Sequence, residues 1–251
     1  YVGAPAVWAA SLVGENISIA GQKSVAYANG IAYWMGTDKF YKYDGRSQPL
    51  KCDVRKYVFN DFNTQQYEQV FSGTNESFHE IWWFYCSTNS NNIDRYVIYN
   101  YMENIWYYGT LARTAWLDSG LRDNPLAATY SNNLVNHEDG INDNETATET
   151  AITAFVESAE FDLDDGHKFS LVNRVIPDIS FDGSTATNPV ATMTLKPLAN
   201  SGAGITSPAS TGGVNNATVT RSASSPVEVY TDQIDIRVRG RQMSMRVEST
   251  A

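Results

Sequence analysis

The residues with reactive side chains come first, because their types and spacing limit what this chain can do. His79, His137 and His167 are the only histidines, and none has a partner at a metal-ligand spacing such as H-x-x-x-H. They read as surface or turn residues. Oxygen ligands are more plentiful. Asp162, Asp164, Asp165 and Gly166 give Asp-x-Asp-Asp-Gly, which faintly resembles a calcium loop but lacks the EF-hand spacing and its closing glutamate. The run His137-Glu138-Asp139-Gly140, with Asn142, Asp143, Asn144 and Glu145 behind it, is also oxygen-rich. Both stretches suit solvated turns, so neither a metal nor a cofactor is expected.

Paired carboxylates on either side of a sugar would hydrolyse a glycosidic bond. Glu80 and Asp94 flank a strongly aromatic segment, and carbohydrate rings stack on Trp and Tyr. No spacing pairs any two of the acids, however. The Ser-x-Asp-x-Gly-x-x-Trp box of sialidase propellers is missing: Phe181-Asp182-Gly183-Ser184 is the nearest piece and has no following Trp. There is no G-x-S-x-G, Walker-type or dinucleotide glycine motif, and Gly202 and Gly204 lie in a loop-like stretch. No catalytic residue and no enzymatic activity are expected.

Arg237, Arg239 and Arg241 alternate along a strand-like run. They are therefore expected on one face, with Asp235 beside them and Ile236 and Val238 on the other. That face is either solvated or paired within the chain, or it is a docking stripe for acidic neighbours; these three arginines are the candidate interface. Arg95, Arg113 and Arg174 are candidates for tying elements together by stacking on Tyr or Trp. Cys52 and Cys86 are two cysteines in 251 residues, which is no disulfide framework; two buried thiols are expected rather than a bridge. The sequons at Asn16, Asn75, Asn144 and Asn216 carry meaning only for a secreted eukaryotic protein.

The elements that would position these groups are β-type. His79-Glu80-Ile81-Trp82-Trp83-Phe84-Tyr85-Cys86 and Arg95-Tyr96-Val97-Ile98-Tyr99-Asn100-Tyr101, continuing to Gly109, concentrate aromatic rings on runs joined by polar turns. Rings on antiparallel strands stack across the strands and bury a large apolar area. Residues 31–45 read as strand, bend at Gly36-Thr37-Asp38, strand. Residues 95–109 repeat the scheme with a bend at Met102-Glu103-Asn104, and 125–140 repeat it with Ser131-Asn132-Asn133. Aromatic hairpins recurring every few tens of residues are how propeller blades look in sequence; a generic sandwich is the competing architecture. Residues 53–69 break the pattern with two short helices, the second capped by Asn63.

From Thr150 the chain reads as longer alternating strands, including one from Leu171 to Phe181 that contains Pro177 and two at 227–239 and 241–249. A Gly/Ser/Thr/Asn-rich loop separates them at 199–216. All six Trp stand at or before Trp116, while the later part favours Thr, Ser, Ala, Val and Asn. The expected fold is thus all-β, with propeller-type blades over 1–145, incomplete at the N-terminus, and a β-sandwich-like domain over 146–251. No apolar run is long enough to span a membrane. The formal net charge of −10 opposes sequence-reading nucleic-acid binding, which usually needs a basic surface.

The order of elements is similar to that of the tail-hub proteins of short-tailed bacteriophages, the nozzle or packaged-DNA stabilisation components. Ile17-Ser18-Ile19-Ala20-Gly21, Tyr33-Trp34-Met35-Gly36-Thr37-Asp38-Lys39-Phe40-Tyr41, the helix at Val54–Phe59, Glu80–Tyr85 and Arg95–Tyr101 carry the likeness. Ile234-Asp235-Ile236-Arg237-Val238-Arg239-Gly240-Arg241 through Met245-Arg246-Val247 resembles the end of their closing β-domain. The resemblance implies a structural virion protein located in the phage tail. It would form a ring, typically a homohexamer, below the portal and adaptor proteins, and would carry tail fibres or a plug. Genomic DNA would be retained and later released through the channel without sequence-specific binding, and no catalytic residues transfer. Members of that family are longer, so this sequence is expected to be a piece lacking an upstream half. An acidic channel wall would keep DNA from sticking; an acidic exterior around a neutral channel fits the same net charge. The alternative reading is a carbohydrate- or receptor-binding β module of a tail fibre or lectin.

Overall fold

A computed structural model describes residues 3–5, 8–10, 12–145, 148–163, 165, 167–198 and 222–250. The described chain is mostly strand, arranged in several antiparallel sheets, and divides into two compact units that meet in sequence between Asp139 and Gly140.

In the first unit, β1 (Val25–Ala28), β2 (Ile31–Met35), β3 (Phe40–Tyr43) and β4 (Ser47–Leu50) form a four-stranded meander. Asn29 and Gly30, both at positive φ, close its first hairpin, as a tight two-residue turn requires. A second meander contains β5 (Phe71–Asn75), β6 (Glu80–Tyr85), β7 (Arg95–Asn100) and β8 (Ile105–Thr110). A three-stranded sheet follows, β9 (Ala115–Leu117), β10 (Leu126–Ala128) and β11 (Leu134–Asn136). Between the two meanders lie helix α1 (Arg55–Asp61) and a 3-10 segment at Thr64–Gln69, whose first N–H groups are capped by the Asn63 side chain through Gln65 N at 3.0 Å. The expected pair of short helices and its Asn cap are present.

The expected hairpins are present too, but they are not equivalent to one another. Residues 31–43 and 126–136 are second and third strands of their sheets, whereas 95–110 is a third and fourth strand. The counterpart of β2–β3 in the second meander is β6–β7, aligned Glu80↔Asn100 through Tyr85↔Arg95.

Strand β6 is apolar on both faces because both are covered. Ile81, Trp83 and Tyr85 pack with Tyr33, Met35 and Phe40 of the first meander and with Val58 of α1. Trp82, Phe84 and Cys86 point the other way and pack with Phe71, Ile98 and the partly buried Trp116 of β9. Burial on both sides explains why β6 has no polar alternation. The first strands of the three sheets are neighbours: the Ser72 N–H donates to Lys23 O at 2.8 Å beside the bridge Lys23↔Phe71, and Trp116 Nε1 donates to Thr74 O at 2.8 Å.

The second unit begins with the short hairpin β12 (Asn142–Asp143) and β13 (Thr150–Ala151). Its larger sheet contains β14 (Thr153–Glu157), β15 (Phe161–Asp162), β17 (Val190–Leu198), β18 (Ala223–Glu228) and β20 (Gln242–Thr250); β16 (Ser170–Val175) and β19 (Ile234–Gly240) form a separate pair. Val175 and Ile234 of the pair share a core cluster with Met193, Val227 and Met245 of the larger sheet. Two expected strands are shorter than the sequence pattern implied. β16 stops at Val175, before Pro177, which has no N–H to donate and restricts Ile176; Ile179 and Phe181 still reach the core cluster. The run at 227–239 is broken after Glu228, where the Thr231 hydroxyl accepts the Glu228 N–H at 2.9 Å and Thr231 N–H returns to Glu228 O at 3.0 Å. The expected loop at 199–216, with Gly202, Gly204 and the sequon at Asn216, lies outside the described residues, as do Asp164 and Gly166.

Candidate functional site

Strand β19 displays the expected alternation. Ile234 and Val238 are buried, while Asp235, Arg237 and Arg239 are exposed. Its neighbour β16 contributes Arg174, which faces Asp235 at 3.9 Å with both groups largely in solvent. Arg239 lies over the Phe169 ring at 5.3 Å, a cation–π contact. Arg241 does not continue the stripe. β19 ends at Gly240, and Arg241 forms the corner where the chain passes from the β16 pair into the larger sheet, its N–H donating to Leu198 O at 2.9 Å. A corner residue leaves the two-residue period that β19 obeys.

The acids suggested by the sequence do not meet. Glu80 opens β6 and pairs with Asn100, whereas Asp94 precedes Arg95 at the other end of the same ladder, about 20 Å away by strand rise. Asp94 is occupied in closing a turn: its Oδ1 accepts Ser87 N at 2.8 Å and its Oδ2 accepts the Ser87 hydroxyl at 2.7 Å.

Glu80 instead meets Glu138, a partner that the sequence assigned to a solvated turn. Asn75 closes β5, directly opposite Glu80 across the hairpin, and is completely buried. Its Nδ2 donates to Glu138 Oε1 at 3.4 Å. Trp82, two residues along the same face of β6, donates its indole N–H to Glu80 Oε2 at 3.0 Å. Burial pushes the Glu80 carboxyl above the usual glutamate range; the Trp82 donor opposes this and the Glu138 charge adds to it. Glu138, which stays accessible at the rim with φ 59°, is also pushed up by burial. The Tyr96 phenol rises through burial and then through both carboxylates. No spacing could have announced this cluster; it forms because the strand pair β10–β11 returns the chain to the β5–β6 hairpin.

The remaining candidates are structural in their contacts. His79 is exposed in a left-handed conformation after a 3-10 turn, with Nδ1 3.4 Å from the Tyr101 hydroxyl. His137 lies against the Trp116 ring at 4.7 Å and accepts from Arg113 Nε at 3.0 Å, so its Nε2 is unprotonated. His167 stands 3.8 Å from Asp165 on the surface. Among the described residues no three His, Cys, Asp or Glu side chains converge as a metal group. Cys52 and Cys86 are both free; burial pushes their thiols up to about 12 and about 11 respectively, so neither is a nucleophile at neutral pH. Asn75 is inaccessible as a glycan acceptor.

No protein-family model matches this sequence, and no curated protein does. Function therefore rests on the residues themselves. Trp83 is fully buried and its indole N–H donates to Ser24 O at 2.9 Å; Trp106 is half-buried and donates to Lys51 O at 3.0 Å. Trp83 therefore offers no ring face to a sugar, whereas Trp106 stays partly exposed. A polar hollow of about 300 Å³ is lined by Asn63, Thr64, Gln65, Thr88 and Asn91, but Phe62, the one ring at its wall, is buried. No helix among the described residues is long and apolar enough to cross a membrane.

Proposed function

We propose that this chain is a structural virion protein, a tail-hub or nozzle component of a short-tailed phage that works as a ring of identical copies. The observation that carries the proposal is the use of the aromatic residues. They fill the cores between successive sheets instead of lining a cleft, as suits a part selected for stiffness rather than for ligand capture. The three sheets of the first unit support a blade-like reading: β1, β5 and β9 begin at Val25, Phe71 and Ala115, intervals of about 45 residues that match a propeller blade, and these first strands neighbour one another as the inner strands of blades do. In the second unit, two sheets that share one core cluster support a β-sandwich. The exposed Arg237 and Arg239 offer a face for acidic neighbours, another copy of the chain or an adaptor among them. The negative net charge suits a conduit that DNA crosses without adhering.

Particle mass and shape test the proposal. The purified chain, alone or mixed with the portal complex of its phage, should give a ring several times the 27.8 kDa protomer mass by native mass spectrometry and negative-stain imaging. A monomer that joins no portal and retains glycans on an array would replace this reading with the carbohydrate-binding one.

A further inference from the structure

We propose that copies of this chain dock head to tail through the first unit, the free face of the β9–β11 sheet of one copy against the free face of the β1–β4 sheet of the next. The inference rests on the stacking of sheets described above and on association of identical copies. It needs neither the phage assignment nor the β19 arginines.

The second meander is apolar on both faces because both are covered. The sheets on either side of it share that composition without the second cover. On β9, Trp116 packs toward the second meander, so Ala115 and Leu117 point away. The register places Leu117 beside Leu126, and Ala115 beside Ala128 and then Leu134. Leucine and alanine therefore make up this free face apart from Asn136, and Leu117 is 56% and Leu134 72% exposed. On the first meander, Tyr33, Met35 and Phe40 pack toward the second, which turns Val25, Tyr27, Trp34, Tyr41 and Tyr43 outward. Trp34 and Tyr41 stack with centroids 5.3 Å apart, and the Trp34 indole N–H donates to Ser18 O at 3.1 Å, tying the segment before β1 to this side. Beside that buried pair Tyr27 is 68% exposed, and Val25 and Tyr43 are exposed too.

A sheet face that meets water carries polar and charged residues. The larger sheet of the second unit obeys this: away from its core it displays Glu157, Lys196, Arg246 and Glu248, joined in ion pairs. Among the described residues, no strand position on either free face of the first unit is charged. Loss of charge from an exposed patch marks the core of an interface. It also names the occupant. In a chain of net charge −10, copies repel one another over most of their surface, and these two uncharged faces are where they can approach. Size favours the pairing of unlike faces: the tyrosine rings of the β1–β4 sheet project, whereas Ala115 and Ala128, adjacent across the β9–β11 sheet, leave room beside the leucines. Contact between two different faces is heterologous, so each copy keeps one face open for the next and the contact propagates into a ring or a chain.

Sedimentation velocity and native mass spectrometry of the full chain test this with two variants, Leu134→Asp and Tyr27→Asp. Both alter exposed side chains, so each variant should keep the wild-type circular dichroism and melting temperature. Each places a charge on one of the two faces and should weaken self-association by roughly a hundredfold. Mixing the variants should restore one contact, because the intact β9–β11 face of Tyr27→Asp meets the intact β1–β4 face of Leu134→Asp. The mixture should stop at a heterodimer, which also shows that both variants are folded. Wild type that stays monomeric at about 0.1 mM, far above the Kd of specific interfaces, overturns the proposal and assigns the faces to another partner. Assembly that survives in both variants overturns it as well, while leaving a ring built through β19 in place. Loss in one variant alone, or a mixture that forms no heterodimer, would replace the head-to-tail contact with a like-to-like one.

Discussion

The indole of Trp116 fills the space that a side chain at Gly73 would need. A Cβ built on Gly73 would stand 2.7 Å from Trp116 Cγ and 2.9 Å from its Nε1. The ring is held there by its hydrogen bond to Thr74 O at 2.8 Å and by stacking on Trp82, centroids 4.9 Å apart and planes 20° apart. One bare backbone position thus sets how closely β9 approaches the second meander. Gly73→Ala should push the indole off its stack and cost about 1–3 kcal/mol as an overpacked site. Chemical unfolding would measure the loss, and near-UV circular dichroism would report the displaced tryptophan. An unchanged spectrum and midpoint would show that the ring has room to yield.

The Glu80–Glu138 pair makes stability depend on pH in a stated direction. Both carboxyls are raised above the ordinary glutamate value of 4.5, so the folded chain binds these protons more tightly than the unfolded chain does. Their contribution is fully present below that value and is lost as pH rises through the raised folded values. The melting temperature of wild type minus that of Glu80→Gln should fall steadily as the pH rises from 4 to about 7. A difference independent of pH would mean that Glu80 titrates as it does in an unfolded chain.

The strands themselves were legible in the sequence, because aromatic and β-branched runs between polar bends describe a local property. Asn63 as a cap and Met102-Glu103-Asn104 as a bend were legible for the same reason: Asn100 Oδ1 accepts the N–H groups of Met102 and Glu103 at 3.0 Å each, a contact within four residues. The phase of the repeat was hidden. Tyr33 and Tyr99 precede similar bends, yet they stand on second and third strands respectively, since bend chemistry does not record a strand's place in its sheet. The meeting of Glu80 with Glu138 was hidden more deeply, because it depends on where a third sheet folds back. Arg241 failed for a smaller reason: alternation predicts a face only while the strand lasts, and β19 ends one residue earlier.

Asp61 and Arg95 form the most buried ion pair among the described residues of the first unit, 3.2 Å apart, with the Asp61 side chain wholly inaccessible and its Oδ1 unpartnered. Burial raises the Asp61 carboxyl and Arg95 opposes the rise. Arg95→Met would leave that carboxylate buried without its partner, at a cost of about 3–5 kcal/mol. The double variant Asp61→Asn/Arg95→Met should recover a good part of this loss, because it removes the stranded charge as well. Urea unfolding of the two variants gives the comparison; a double variant no more stable than Arg95→Met would assign the loss to packing of the arginine stem.

Arg237 separates assembly from folding. It is exposed on β19 while Ile234 and Val238 of that strand are buried, so a change at Arg237 leaves the core of the second unit untouched. Arg239 is engaged with Phe169 and Asp235 faces Arg174, which makes Arg237 the position where charge can be reversed with least disturbance within the chain. Arg237→Glu should shift folding stability by no more than about 0.5 kcal/mol, as exposed substitutions do. If the β19 face meets acidic surfaces of neighbouring copies, the same change should weaken ring formation, and raising the salt from 0.05 to about 0.5 M should weaken the wild-type ring in parallel, because exposed charge pairs are screened. Mass photometry across a salt series would follow both effects. A ring formed equally well by wild type and Arg237→Glu at low salt would move the interface away from β19 and leave the arginines as a solvated face.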